Sequence, residues 1–167
     1  MSAPDQVRFA EPTDLPLLQA IEDDGERAFD GLMDHSHWGP SLTGEERAGE
    51  PGFIMVAGRP PVGYAHVLDL DGHLHLEQLD VLGSHRRRGV GSALVDEVCR
   101  VAASRGAREV TLLTFADVPF NGPFYERLGF VEVPEPLPDF LVPLREHEKR
   151  IGLDAGGRRV AMVRRLT

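Results

Sequence analysis

Cysteine is almost absent from this chain: one residue in 167, Cys99. A single thiol cannot close an internal disulfide, which fits a reducing compartment and makes a cytoplasmic location the expectation. Set among apolar residues at helical spacing, Cys99 reads as a small buried side chain rather than a nucleophile. Long hydrophobic runs are missing as well. No stretch of about 18 consecutive apolar residues occurs, so nothing is expected to span a membrane. Met1-Ser2-Ala3-Pro4-Asp5 has neither a basic n-region nor an apolar h-region, so no secretory signal is expected. Positive charge is in short supply: 18 Lys and Arg stand against 27 Asp and Glu, for a formal net charge of −9. That balance argues against nucleic acid as a partner and suits the attraction of cationic amines. Internal repeats and low-complexity segments are also lacking. What remains, 41% apolar and 27% charged, is ordinary globular material. Its length suits one domain with a full core, expected over residues 1–167.

The chain is organised around residues 79–101. Leu79-Asp80-Val81 ends a short apolar strand, and Gly83-Ser84 turns the backbone. A helix follows, with Val90, Leu94, Val98 and Val101 at helical period. Between strand and helix lies Arg86-Arg87-Arg88-Gly89-Val90-Gly91. The first turn of a helix has N–H groups without intrahelical acceptors, and the macrodipole is positive there. Gly89 and Gly91 let a ligand approach that backbone, and the arginines add fork-shaped donors suited to phosphate. The combination reads as a diphosphate cradle. A solvated basic turn before an ordinary core helix is the alternative. Two other phosphate motifs are excluded: the third glycine of the dinucleotide fingerprint is missing, and no Gly-Lys-Ser/Thr closes a P-loop.

Arg86-Arg87-Arg88-Gly89-Val90-Gly91 resembles the Arg/Gln-x-x-Gly-x-Gly/Ala signature of the GNAT superfamily of acyl-CoA-dependent N-acetyltransferases. Leu79-Asp80-Val81 resembles the family's fourth strand. Asn121-Gly122-Pro123-Phe124-Tyr125-Glu126-Arg127-Leu128-Gly129-Phe130 resembles its second motif, although fewer residues separate Asn121 from Tyr125 than in many members. The resemblance covers residues 7–133. It implies an α/β fold: a mixed, mostly antiparallel sheet flanked by helices, with a splayed parallel strand pair holding acetyl-CoA. It implies a cofactor set of Leu79, Val81, Arg86, Arg87, Arg88, Gly89, Val90, Gly91, Ser92 and Asn121. A β-bulge near Leu79 would free main-chain groups of Leu79 and Val81 for the amide-rich arm of CoA. Tyr125 is the implied proton donor to the departing thiolate, against the reading of a core tyrosine with its hydroxyl at the surface. Glu77 is the candidate base, with His75 as rival and an exposed strand glutamate as the alternative. The implied reaction is direct transfer of acetyl to a primary amine of a small molecule or peptide, with Val81 N–H facing the oxyanion. A CoA-binding sensor that has lost turnover is the competing reading.

The remainder of the chain supplies the frame. Val7-Arg8-Phe9-Ala10 reads as a first strand, and Thr13 or Asp14 as a cap for a helix carrying Leu15, Leu18 and Ile21. Gly25 predicts a kink or a second helix before Ala28, Phe29 and Leu32. Glu22, Asp23, Asp24, Glu26 and Asp30 make this region acidic, either a solvated face or an acceptor wall. Residues 33–50 read as a long loop with one helical turn at Glu45-Glu46-Arg47. Trp38 within it is a lid or an anchor to the core. His35 and His37 lack a third and fourth ligand, and His73, His75 and Glu77 diverge along one strand, so no metal is expected. Residues 53–57, 62–70 and 73–81 read as successive strands with a hairpin at Asp71-Gly72. Val110-Thr111-Leu112-Leu113-Thr114, reached through a helix, is expected to run parallel to the Asp80-Val81 strand. Phe130-Val131-Glu132-Val133 reads as a strand, Asp139 as the cap of a helix stopped by Gly152, and residues 159–164 as the last strand. An exposed sheet edge makes a homodimer compatible with the pattern.

Overall fold

The computed structural model describes residues 6–167, so the expectation that residues 1–5 carry no secretory signal lies outside the described residues. Alternating apolar positions form seven strands of one sheet: β1 (Val7–Phe9), β2 (Gly52–Ala57), β3 (Gly63–Leu70), β4 (His73–Val81), β5 (Glu109–Phe115), β6 (Val131–Glu132) and β7 (Arg159–Arg165). Their order is β1-β2-β3-β4-β5-β7-β6, with β4 and β5 parallel and the other pairs antiparallel. The expected α/β class and mixed sheet are present. The strand at 130–133 is shorter than its apolar run suggests: at the sheet edge beside β7, Val131 and Glu132 are in register and the Val133 N–H donates to the Ala161 carbonyl at 2.8 Å.

Helix α3 (Val90–Ser104) lies across one face. Its Leu94, Val95, Val98, Cys99 and Ala102 pack with Met55, Val67, Leu76, Val110 and Leu112 in the larger core. Helix α1 (Leu15–Glu26) covers the other face, where Leu18 and Ile21 meet Ile54, Val56 and Tyr64. Gly25 does not break α1, which continues to Glu26 and tightens into a 3₁₀ turn at Arg27–Phe29. A packing reason replaces the expected kink: a methyl group at position 25 would overlap the Asp80 carboxylate, so the helix can lie this close to β4 only with glycine. Asp14 is the N-cap residue but makes no capping bond. Its carboxylate instead accepts from Arg8 Nη1 at 2.7 Å and from the Glu11 N–H at 2.7 Å.

The helical turn read at Glu45-Glu46-Arg47 is α2 (Gly44–Ala48), closed by a Thr43–Glu46 capping box. It delivers Arg47 into the core, 4% exposed, where the guanidinium pairs with Glu22 and donates to His66 Nδ1 at 3.1 Å. Replacing Arg47 with methionine leaves Glu22 buried without its cation. The expected loss is about 3 kcal/mol in a denaturant titration, and a midpoint equal to that of the parent would contradict the pairing.

After α4 (Gly122–Arg127), the chain between β6 and β7 forms a 3₁₀ turn at Asp139–Leu141 and then α5 (Val142–Arg150). Asp139 opens that turn rather than capping α5, whose N-cap is Leu141. Gly152, at φ +82°, stops the helix as expected. Among the described residues no helix is long and apolar enough to cross a membrane.

Candidate active site

The site starts where β4 and β5 part. Their parallel ladder runs from Leu74↔Val110 through His75↔Thr111 to Leu76↔Leu112 and stops. Beyond it the strands diverge, leaving a crevice at their C-terminal ends. Against β3 the register jumps: His66 faces Gln78 and Val67 faces Leu76, so Glu77 has no partner. This is the expected β-bulge, placed two residues earlier than Leu79. The apolar side chains show why: Leu74 and Leu76 face α3, and so do Leu79 and Val81, a spacing that needs one extra residue between positions 76 and 79.

The bulge also fixes where the backbone points. Leu82 N–H donates to the Val62 carbonyl at 2.8 Å, which makes Gly63↔Val81 and Ala65↔Leu79 the non-hydrogen-bonded pairs of the ladder. The main-chain groups of Leu79 and Val81 therefore face away from β3, into the crevice. The extended, amide-rich arm of an acyl-CoA has the complementary donors and acceptors.

At the mouth of the crevice Arg87 adopts φ +61° and Gly89 φ +81°, a reversal that sets α3 on its course. The first helical bond is Ala93 N–H to the Gly89 carbonyl at 3.0 Å, so the N–H groups of Val90, Gly91 and Ser92 precede it without intrahelical acceptors. Gly89 caps the helix without a side chain in the way. Arg86, Arg87 and Arg88 are exposed around this turn. Arg86 Nη2 donates to the Gly25 carbonyl at 3.2 Å, and the Gly83 N–H donates to Asp24 at 2.6 Å. The turn is thus tied to the end of α1, and Arg86 points at protein backbone rather than outward with the other two. Open amides at a helix N-terminus, with two outward arginines beside them, fit a diphosphate.

Asn121 is the N-cap residue of α4, and its carbonyl accepts the Tyr125 N–H at 3.0 Å. Tyr125 is half-buried, its ring edge-on to Phe124 at 5.1 Å and to Phe130 at 5.7 Å between centroids. Burial first, then the neighbouring Asp80 carboxylate, push its hydroxyl pKa up, against the pull of Arg159. The phenol therefore stays protonated. Asp80 was legible only as part of the strand motif. It lies on the α1 face of β4, held by Gln78 Nε2 at 2.6 Å, and burial raises its pKa well above the carboxylate range.

On that same face, Glu77 and Leu113, the residues just past the last β4–β5 pair, open into a cavity of about 260 Å³. Leu144 and His147 of α5 and Arg159 of β7 form its other walls. The Glu77 side chain lines that cavity and is 38% exposed, so the exposed strand glutamate offered as the alternative matches its surface exposure. Burial raises its pKa to about 7, against the attraction of Arg47. His75, the rival base, is fully buried; burial lowers its pKa to about 4, and its Nδ1 is hydrogen-bonded to Thr111 Oγ1 at 2.8 Å. Its Nε2 stands 3.8 Å from Glu77.

Phe29, Trp38, Phe115 and Phe120 join over the end of β5, with Trp38 stacked on Phe115 at 6.0 Å and Phe29 edge-on to Phe120 at 5.0 Å. His37 Nε2 meets the Gly152 carbonyl at 3.1 Å. The loop after α1 is anchored to the far side of the crevice by these contacts, which fulfils the anchor reading of Trp38. Among the described residues no group of histidine, cysteine and carboxylate side chains converges to hold a metal ion.

Residues 16–130 match the model of the Acetyltransferase (GNAT) family. The chain is 32% identical over 80 residues to the glucosamine 6-phosphate N-acetyltransferase of Trypanosoma brucei brucei, a match covering 48% of this chain and 43% of that one. The likeness thus spans under half of that curated relative. Among solved structures, the PaiA N-acetyltransferase of Thermoplasma acidophilum in complex with coenzyme A superposes with a TM-score of 0.70 at 14% identity, over 99% of both chains. The ribosomal-protein-S18-alanine N-acetyltransferase of Escherichia coli gives 0.67 at 21% identity, over 98% of this chain and 94% of its own. These neighbours share the fold. With the crevice between β4 and β5, the open amides at the start of α3 and the family match over most of the length, this chain belongs to the GNAT acetyltransferase family.

Proposed function

We propose that this protein is a cytoplasmic N-acetyltransferase that moves the acetyl group of acetyl-CoA onto a primary amine by direct attack. The observation that carries the reading is the placement of Glu77: the bulge lifts it from the ladder at the point where β4 and β5 part, next to a cavity large enough for a small acceptor. Leu79 and Val81 main-chain groups hold the pantetheine arm. The amides of Val90, Gly91 and Ser92, with Arg87, Arg88 and the Gly89 turn, hold the diphosphate. Arg86 braces that turn against α1, and Asn121 starts the helix that carries Tyr125. Bound acetyl-CoA supplies an activated thioester carbonyl.

The chain's own groups do the rest. Glu77, with its pKa near 7, takes the proton from the incoming ammonium, since only the neutral amine attacks. The Val81 N–H, turned into the crevice, donates to the carbonyl oxygen as charge develops there. As the C–S bond of the tetrahedral adduct breaks, Tyr125, held protonated, gives its hydroxyl proton to the departing thiolate. The phenolate recovers a proton from the nitrogen, which sheds its second one to become the amide. The amino-sugar phosphate of the trypanosomal relative is not carried over, because the match spans less than half of that protein.

The cradle has its own test. A methyl group at position 91 already approaches the Phe124 ring at 3.3 Å, so Gly91→Glu adds both bulk and negative charge at the helix N-terminus. Calorimetry with acetyl-CoA is expected to show affinity reduced by at least about a hundredfold. Parent-like affinity in a folded variant would remove the cradle. The reading as a whole is tested by an acceptor screen with acetyl-CoA that monitors free thiol.

A further inference from the structure

The cavity beside Glu77 carries a distinctive charge pattern. Arg159, with 9% of its side chain exposed, has its Cζ 4.5 Å from the centroid of the Phe115 ring and is gripped by Glu148 through both Nη2 and Nε, the latter at 3.2 Å. Glu148 is itself buried, and Arg145 meets it from behind at 3.4 Å. Arg145 Nη1 in turn pairs with Asp154 at 2.8 Å. Two guanidinium groups are matched by two carboxylates, and this closed network holds α5 against β7. Of the other titratable groups on the cavity wall, His75 is neutral, with its pKa near 4 and its Nδ1 engaged by Thr111. His147 contributes its imidazole ring to the wall from α5. Leu113, Pro143 and Leu144 supply apolar surface. Glu77 alone keeps a charge with no cation bound to it. The other charges that act on it come as two closed pairs, Arg47 with Glu22 and Arg159 with Glu148.

We infer that the acceptor is a small amine whose body carries no carboxylate or phosphate group, selected because Glu148 consumes the Arg159 cation that would otherwise receive one. This rests on the cavity being the acceptor site of the proposed transferase. An anion placed there meets Glu77 at short range and finds no free guanidinium, and like charges in a partly dehydrated pocket repel strongly. An alkylamine or arylamine body finds apolar walls, and its ammonium finds Glu77.

The test uses matched pairs at pH 8: tyramine against tyrosine, agmatine against arginine, and ethanolamine against phosphoethanolamine. In each pair the amine without the anionic group is expected to give the higher kcat/KM, by about tenfold or more. Equal rates, or preference for the anionic member, overturn the inference. Glu148→Gln releases the Arg159 charge into the cavity and is expected to narrow or reverse the ratio. The double substitution Glu148→Gln with Arg159→Met removes both charges and is expected to restore the parent ratio even if the single variant folds poorly. A parent-like ratio in a folded Glu148→Gln protein overturns the role given to that pair. Calorimetry of the same pairs against CoA-loaded protein separates the two readings. Discriminating binding without turnover sinks acetyl transfer and leaves the acceptor class standing. Binding without discrimination, or no binding by any member, sinks the acceptor class.

Discussion

Replacing Tyr125 with phenylalanine is expected to lower kcat by about 10²–10³-fold while acetyl-CoA affinity stays within about twofold of the parent. The substitution removes one oxygen from a ring wedged edge-on between Phe124 and Phe130, so packing is kept. Only the proton destined for the thiolate is lost. Burial and the Asp80 carboxylate keep the phenol in its acid form, so no loss of activity from its ionisation is expected near neutral pH. Rapid-mixing turnover and calorimetry on the same preparation make the comparison. Parent-like kcat in a folded protein would place Tyr125 among core residues and leave the leaving group to fend for itself.

The second large effect is at Glu77. Glu77→Gln is expected to reduce kcat/KM at pH 8 by about two orders of magnitude and to flatten its dependence on pH. In the parent protein, activity should climb as pH rises through about 7, because the carboxylate must be ionised to accept a proton. A stability signature accompanies it. Burial raises the folded pKa from the ordinary 4.5 to about 7, so the folded state binds the proton more tightly. The resulting stabilisation is full below pH about 4.5 and disappears as pH rises through about 7. The glutamine variant should lose that slope in thermal melts over the window. An unchanged acid limb of activity would clear Glu77 and leave the attack to amines already neutral.

Much of this site could be read from residue order because its parts are local. A strand, a glycine-bearing turn, three arginines and a helix period occur in consecutive residues, and the second motif likewise lies in one short segment. Features that depend on distant partners were hidden. Gly25 looked like a helix breaker, since nothing in the chain around it announces that Asp80, 55 residues on, occupies the space a side chain would take. Arg47 sat in an apparent surface turn, yet it is buried because Glu22 and His66 receive it. Arg145, Glu148 and Arg159 stand in two elements separated along the chain, and only tertiary packing brings them together at the cavity. The bulge had a visible trace. Apolar positions fall on even numbers at Leu74 and Leu76 and on odd numbers at Leu79 and Val81, a slip that locates the extra residue once both faces of the strand are known.

On the role proposed for Glu77, that slip means the most regular version of this sheet would be an inactive one. Deleting Glu77 outright would restore an uninterrupted two-residue alternation, with Leu76 followed by Gln78 and Leu79 in proper turn and every rung opposite β3 filled. The shortened protein would gain pairing and lose its proton acceptor in one stroke. Selection on stability alone would favour the deletion; the proton transfer proposed for Glu77 is what would keep this strand one residue longer than its pairing needs.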